Sequence, residues 1–479
     1  MLPNAQHPTR QPYPSRARRW SVLFLVATVM MGGYIFWDIV SPVSTSLKAS
    51  PVDGGMGWTA AEYGFYAGSY SIFNIFLLML FFGGVILDKC GIRFTGLLAT
   101  GIMLLGAVIN YLAVRHISPT TYTYLPFSLF GLIPAHIKQQ VLVAALGFGL
   151  FGMGCDITGI TISKIVTKWF TGHELASAMG VQVAMARLGT ASALSFSPLI
   201  ALQWGISAPI LTGAVVLLAG FMLFVGYCFM DKAFDRHTRK PSEDMAEEQF
   251  SFSDFVKVLN NPGFWLIALL CVFFYSSIRP FMKFATDIMV SQYGVAETTA
   301  GWIVAAIPYG TIVLTPLFGS LYDRVGHGIR LMTIGCIVLT ASHVCLILPL
   351  SREPWFALVV MVLIGISFSL VPSALWPSVP KIVPLRQLGT AYSIIYYVQN
   401  LGLMLIPMWV GNVAAAHVSV DGRTDYTLPL LIFAMLGALA VTATLLLFIV
   451  NRNKGYHLEE ANQLQPATTS MPSKGEENS

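Results

Sequence analysis

Asp156 and Arg187 each sit in the middle of a long apolar run, the first in Val141–Val166 and the second in Leu175–Leu202. An ionised side chain at bilayer depth is costly unless it is paired or faces water, so both residues need a reason to be there. Asp156 lies 12 residues from Lys168, and Arg187 lies 13 residues from Glu174. At the helical rise, both are expected roughly 18–20 Å into a membrane. Consecutive spans thus carry opposite charges at one depth. A guanidinium takes a carboxylate through two parallel hydrogen bonds, and a carboxylate takes an ammonium. Held apart, the two would read both ends of a zwitterion. The competing expectation is a buried Asp–Arg pair that only fixes helix packing.

Other polar residues are expected around the same cavity. Tyr66, Tyr70 and Asn74 recur at four-residue intervals, one face of a helix. Gln399 and Asn400 fall about 18 Å into a span that starts near Leu388, with Tyr392 and Tyr396 on a shared face below them. Trp376 precedes Pro377, where a local break would tilt the ring. The candidate substrate-binding set is therefore Asp156, Arg187, Tyr70, Asn74, Trp376, Tyr392, Tyr396, Gln399 and Asn400. For the aromatics and amides, helix packing and interhelical hydrogen bonding are the alternative roles. Asp38, Arg279 and Lys283 form a second candidate group, for a gate or a proton site. Asp38 is the only acid of the first apolar run and lies near its outer end. Interfacial placement is the third option for it. Arg279 and Lys283 are four apart, so they share a face, expected to attract anions or to pair with Asp287.

The elements that must position these residues are membrane helices. The 479 residues are 55% hydrophobic and 11% charged, against about 25% charged in a soluble chain. The mean hydropathy is +0.68. Twelve runs are long enough to span a bilayer, which takes about 20 residues. The first six are Trp20–Ser41, Tyr63–Leu87, Phe94–Val114, Val141–Val166, Leu175–Leu202 and Ser207–Met230. The second six are Gly263–Val290, Ala300–Tyr322, Leu331–Leu350, Trp355–Val379, Leu388–Ala414 and Thr427–Val450. With the N-terminus in the cytoplasm, 20 of the 28 Lys and Arg fall on the cytoplasmic side, counting Lys164 as snorkelling from the inner end of the fourth run; five fall on external loops and three deeper within spans. That bias places both termini in the cytoplasm.

The expected organisation is a cytoplasmic tail over 1–19, a six-helix half over 20–230, a linker over 231–261, a second six-helix half over 262–450 and a disordered cytoplasmic tail over 451–479. The loop Arg115–Gln140 is long and aromatic and suits an external hairpin or an interfacial helix. The six cysteines form no CxxC pair and are expected as small buried hydrophobes, so no disulfide framework or metal site is predicted. No cofactor is predicted. The net charge of +5 is topological and does not point to nucleic acid. No nucleophile–base pair or phosphate loop occurs, so an enzyme is not expected; His173 reads as interfacial and His343 as packing.

A repeat names the broader class. Gly84-Val-Ile-Leu-Asp88-Lys89-Cys-Gly91-Ile-Arg93 follows the second span, and Gly319-Ser-Leu-Tyr-Asp323-Arg324-Val-Gly326-His-Gly-Ile-Arg330 follows the eighth. The shared pattern G-x-x-x-D-K/R-x-G assigns Gly84, Asp88, Arg93, Gly319, Asp323 and Arg324 to gating or structure. The glycines are expected to allow close packing, and the carboxylates to cap a helix or pair with arginine. With twelve spans and a central linker, the chain resembles the major facilitator superfamily, in which two six-helix halves surround a midplane site.

Two further blocks are similar to the lysosomal dipeptide uniporter branch, the "domain-containing protein 1" group of that superfamily. One runs from Lys168-Trp169-Phe170 through Glu174-Leu175 to Met185-Ala186-Arg187-Leu188-Gly189. The other comprises Ala374-Leu375-Trp376-Pro377, Val383-Pro384, Gln387-Leu388-Gly389-Thr390-Ala391-Tyr392 and Val398-Gln399-Asn400-Leu401-Gly402-Leu403. The resemblance implies that Asp156, one methylene shorter than the family's Glu, and Arg187 hold the two peptide termini. Arg279 and Lys283 stand as additions that would favour an anionic or acidic substrate.

The expected function is carriage of small zwitterionic peptides, chiefly dipeptides, by alternating access, as a uniporter or weakly proton-linked. The E-x-x-E-R motif of proton-coupled oligopeptide carriers is absent. The alternatives are a carboxylate carrier of the oxalate/formate type and a non-transporting membrane receptor. The expected partners are the dipeptide and the lipid bilayer, with a monomeric chain and an accessory subunit left open. Without sequons or a lysosomal sorting tail, a bacterial cytoplasmic membrane is the expected location.

Overall fold

Lipid offers the peptide backbone no hydrogen-bond partner, so long apolar runs satisfy their amides internally as helices. The structure, a computed structural model, describes residues 15–126, 131–171, 173–238, 258–348, 350–384, 387–419 and 424–461. Among them, eleven helices are long and apolar enough to cross a membrane. The second crossing is built from pieces instead. The protein is an all-α membrane protein of two six-helix halves, with one small hairpin.

The first half contains α1 (Arg16–Asp38), α2 (Ser44–Lys48), α3 (Ala60–Ser69), α4 (Ile72–Phe76), α5 (Met79–His116), α6 (Gln139–Phe170), α7 (Leu175–Trp204) and α8 (Ser207–Thr238). The second half contains α9 (Pro262–Tyr293), α10 (Glu297–Val325), α11 (Gly328–Ile347), α12 (Pro354–Ile382), α13 (Leu388–Ala416) and α14 (Thr427–Lys454). The halves meet along α3 against α13 and α7 against α10. Small residues set both seams. A methyl on Gly64 would lie 2.8 Å from the Gly411 Cα, and one on Gly301 would lie 2.4 Å from the Leu194 carbonyl oxygen.

The predicted continuous span Tyr63–Leu87 is broken. α3 ends at Ser69, α4 covers only Ile72–Phe76, and Leu78 takes a left-handed conformation (φ 49°) before α5 begins. α5 itself is two helices joined at Gly91 (φ 80°), which returns the chain into the third crossing.

Two boundaries differ from expectation. α8 continues past the predicted linker start, and Asp231 is buried. Residues 239–257 lie outside the described residues. Beyond α14, the tail is structured as far as 461: Leu458 is buried and the Tyr456 ring covers Gly263. The remainder of that tail, and residues 1–14, lie outside the described residues. Of the two expectations for the long loop, the hairpin forms, with β1 (Tyr122–Tyr124) antiparallel to β2 (His136–Lys138). It is tied to the bundle by the buried Lys138–Glu62 pair at 3.0 Å.

The repeat works differently from its prediction. Gly84 and Gly319 face open space, so neither serves close packing. The positions that require glycine are Gly91 and Gly326, at φ 80° and 71°. Asp323 and Arg324 are exposed and make no described ion pair, and the Asp88 side chain lies outside the described residues. The ion pairs are made by the last arginine of each copy. Arg93 reaches Asp235 (3.0 Å) and Asp231 (3.7 Å), and Arg330 reaches Glu459 (3.4 Å). Each arginine therefore meets an acid at or just beyond the end of the sixth crossing of its own half.

Candidate functional site

Asp156 stands on α6 beside a run of glycines that lets the broken second crossing come close. A methyl on Gly152 would lie 2.1 Å from the Tyr70 carbonyl oxygen, a distance no side chain tolerates. The break brings two donors onto one carboxylate. The Tyr70 hydroxyl donates to Oδ1 (2.7 Å) and the Asn74 amide donates to Oδ2 (2.6 Å). The Asn400 side chain faces the same carboxylate from α13. All three partners are neutral, so they orient the charge without cancelling it. Tyr66, expected on the same face, instead accepts a hydrogen bond from Asn110 (2.8 Å).

Arg187, on α7, lies over the Phe368 ring of α12 at 4.3 Å. Arg279, on α9, lies 5.3 Å from the same ring, 4.8 Å from Trp37 and 5.8 Å from Tyr34. Cation–π contact is the form of stabilisation both receive. Among the described residues, neither has a carboxylate within ion-pairing distance. Asp156 and Arg187 therefore do not form the packing pair that was the competing expectation.

Aromatic residues pack into a group near these charges. Trp37 stacks parallel on Tyr70 at 4.3 Å. Trp376 donates from Nε1 to the Tyr275 hydroxyl (3.0 Å), and Tyr396 stacks on its ring at 5.2 Å. Tyr392 closes the group, its hydroxyl donating to the Trp376 carbonyl (3.4 Å). The two neighbouring amides diverge, because adjacent helical residues point in different directions. Asn400 turns toward Asp156, whereas Gln399 accepts from the Cys271 thiol (3.7 Å) of α9. Tyr34, Trp37, Tyr275 and Phe368 were not anticipated. Helical spacing points to two of them, since Tyr34 is four residues before Asp38 and Tyr275 four before Arg279.

A small cavity of about 20 Å³ lies between the halves, lined by Trp37, Asp38 and Tyr70 from one and Arg279, Lys283 and Leu403 from the other. Lys283 closes one end of it, donating to Asp38 (2.6 Å) and to the Trp37 carbonyl (2.5 Å). This corrects the expected pairing with Asp287. Asp287 instead accepts from Lys48, Thr45 and Tyr426, and Glu297 accepts from Ser46. Every one of these contacts to Lys48, Ser46, Thr45 and Asp38 joins the two halves on the face opposite the termini. On the terminal face, the described ion pairs stay within one half: Arg93 and Lys168 with Asp231 and Asp235, and Arg330 with Glu459. The halves are thus clamped at one face only among the described residues. No group of three His, Cys, Asp or Glu among these residues could hold a metal ion.

A family model described as Major Facilitator Superfamily matches residues 22–407 and 281–471. The human protein named "Lysosomal dipeptide transporter MFSD1" is 26% identical over 461 residues, covering 93% of this chain and 89% of the human one. Its namesake in Mus musculus is 27% identical, covering 96% and 92%. Two solved structures share the fold. A bacterial homologue of the human lysosomal transporter Spinster aligns with a TM-score of 0.63 at 14% identity, covering 95% of this chain and 100% of its own. The xylose transporter XylE from E. coli aligns with a TM-score of 0.64 at 14% identity, covering 90% and 96%.

Proposed function

Because the chain belongs to the Major Facilitator Superfamily, a family of transporters and not of enzymes, we propose that it carries dipeptides across a membrane by alternating access. The observation that carries this reading is the separation of Asp156 from Arg187. Asp156 is held by the neutral Tyr70 and Asn74 and Arg187 lies on the Phe368 ring, and neither has an ion-pair partner among the described residues. A dipeptide supplies what each lacks. Its ammonium meets the Asp156 carboxylate, held in place by Tyr70 and Asn74. Its carboxylate meets the Arg187 guanidinium, whose fork suits two parallel hydrogen bonds. Trp376, Tyr392 and Tyr396 wall the side-chain space with faces that accept many shapes. The names of the vertebrate relatives support the substrate class.

The clamp of Asp38–Lys283 and Lys48–Asp287 is the gate in this reading. It holds the face opposite the termini shut, and rocking of the halves must break it. We assign uniport by a monomer, with the chain's two six-helix halves as the moving bodies.

The test is uptake into proteoliposomes of the full chain. A dipeptide should be carried, and its N-acetylated or C-amidated form should not. Asp156→Asn should abolish dipeptide uptake. Transport of oxalate or formate that survives Asp156→Asn, with no dipeptide uptake, would overturn the reading in favour of a carboxylate carrier. Uptake unaffected by a pH gradient supports uniport; dependence on the gradient would argue for a proton carried at Asp38 or Asp156.

A further inference from the structure

The charges of the candidate site do not balance for a neutral zwitterion. Asp38 and Lys283 answer each other at 2.6 Å. Asp156 is a single uncancelled negative charge, and Arg187 and Arg279 are two uncancelled positive ones. The two guanidinium carbons stand 4.3 Å and 5.3 Å from one ring centre, that of Phe368, so they are no further apart than those two distances together. They come from opposite halves, on α7 and α9, and converge on α12.

Arginine does not shed its proton in a protein, so both charges persist. Contacts with aromatic faces offset part of the cost of burial, but a desolvated guanidinium without an anion remains costly. A dipeptide with two uncharged side chains answers Asp156 with its ammonium and one arginine with its carboxylate. The second arginine is then left uncovered when the site closes around the substrate. One further carboxylate removes the imbalance. Because Arg279 shares the ring that Arg187 lies on, that carboxylate belongs on the same residue as the terminal carboxylate.

Resting on the dipeptide reading above, we propose that the carrier selects dipeptides whose C-terminal residue is Asp or Glu, with Arg279 as the specificity-determining residue for the side-chain carboxylate. The monoanionic substrate leaves the candidate site without net charge, which the zwitterion does not.

The experiment is binding to the purified full chain, measured by calorimetry for Ala-Ala, Ala-Gln, Ala-Glu and Glu-Ala. Ala-Glu and Ala-Gln match in size and differ in charge. Ala-Glu should bind at least about tenfold more tightly than Ala-Gln, the change expected from one well-placed charge-assisted contact. Glu-Ala should gain less over Ala-Ala than Ala-Glu gains over Ala-Gln. In Arg279→Gln the ratio between Ala-Glu and Ala-Gln should fall toward one, and in Arg279→Lys a preference for Ala-Glu should persist. Equal affinity for Ala-Glu and Ala-Gln in the unaltered protein would overturn the inference while leaving the dipeptide reading intact. Binding of none of the four would overturn both. The comparison between peptides needs no variant, so a failure of Arg279→Gln to fold does not remove the test.

Discussion

The Asp38 carboxylate and the Lys283 ammonium meet 2.6 Å apart across the two halves, both nearly sealed from solvent, at the end of a pocket that Arg279 and Tyr70 also line. A buried pair of this kind is costly to break one partner at a time, since the survivor is left charged and alone. Asp38→Asn and Lys283→Met should each weaken the closed arrangement by roughly 3–5 kcal/mol. The double variant Asp38→Leu with Lys283→Met should recover much of that loss. Thermal unfolding of the three purified variants checks this. Single variants as stable as the parent would show that the pair contributes nothing.

The second layer of the clamp makes a prediction about access. Asp287 gathers Lys48 and Thr45 from α2 and Tyr426 from the start of α14. Asp287→Asn removes the charge that holds Lys48 and should free the halves to part on that face. With Ala67→Cys placed in the pocket of a cysteine-depleted chain, labelling by a bulky impermeant thiol reagent from that face should speed up by about tenfold or more, equivalent to 1.4 kcal/mol or more of lost closure. An unchanged labelling rate would exclude Asp287 from the gate.

Tyr70 and Asn74 act on substrate through Asp156, so their removal should differ from removal of the acid. Tyr70→Phe deletes one hydrogen bond to a charged group, an effect of about 1.5–3 kcal/mol where it is fully felt. Dipeptide affinity should fall by roughly one to two orders of magnitude at most. The N-acetylated dipeptide, which has no ammonium to place, should be indifferent to the change. Equal losses for both ligands would indicate a purely structural tyrosine.

Arg187→Lys keeps the charge and loses the fork. A lysine at this position cannot give two parallel hydrogen bonds or lie flat over Phe368. Dipeptide affinity should drop by about tenfold or more, with much less effect on the C-amidated form. Full retention of affinity would mean that Arg187 acts only as a point charge.

Packing around the broken crossing can be tested on one helix. Gly152→Ala would push a methyl against the Tyr70 carbonyl oxygen at 2.1 Å, whereas Gly159→Ala on the same α6 meets open space. The first should lower thermal stability and displace Tyr70 from Asp156. The second should be neutral or stabilising by about 0.5–1 kcal/mol, the ordinary gain of Ala over Gly in a helix. Equal behaviour of the two would refute the close approach.

Much of this protein is legible in the chain alone, because lipid penalises each residue locally. Apolar runs too long for a soluble core must become crossings, and a charge such as Asp156 or Arg187 within one must face a partner or a cavity. The repeat at Asp88 and Asp323, the two halves and the mid-depth opposite charges all follow from runs and spacings along the chain. The pairings do not. Lys283 was expected on Asp287, four residues along its own helix, yet it takes Asp38, 245 positions away. The partner of a buried charge depends on which helix lies opposite, and no local pattern encodes that. The break at Tyr70 was invisible for the same reason. The hydropathy of that segment is continuous, and only the glycine face of α6 makes room for a bent backbone to bring Tyr70 and Asn74 onto one carboxylate. Asp231 and Glu459 read as linker and tail because polar residues at helix ends look alike, until Arg93 and Arg330 are found against them. The sequence by itself determined that charged residues must line a path through a membrane. Which of them remain unanswered there, and so are free for a substrate, was decided only when Arg187 and Arg279 were brought from opposite halves to one aromatic ring.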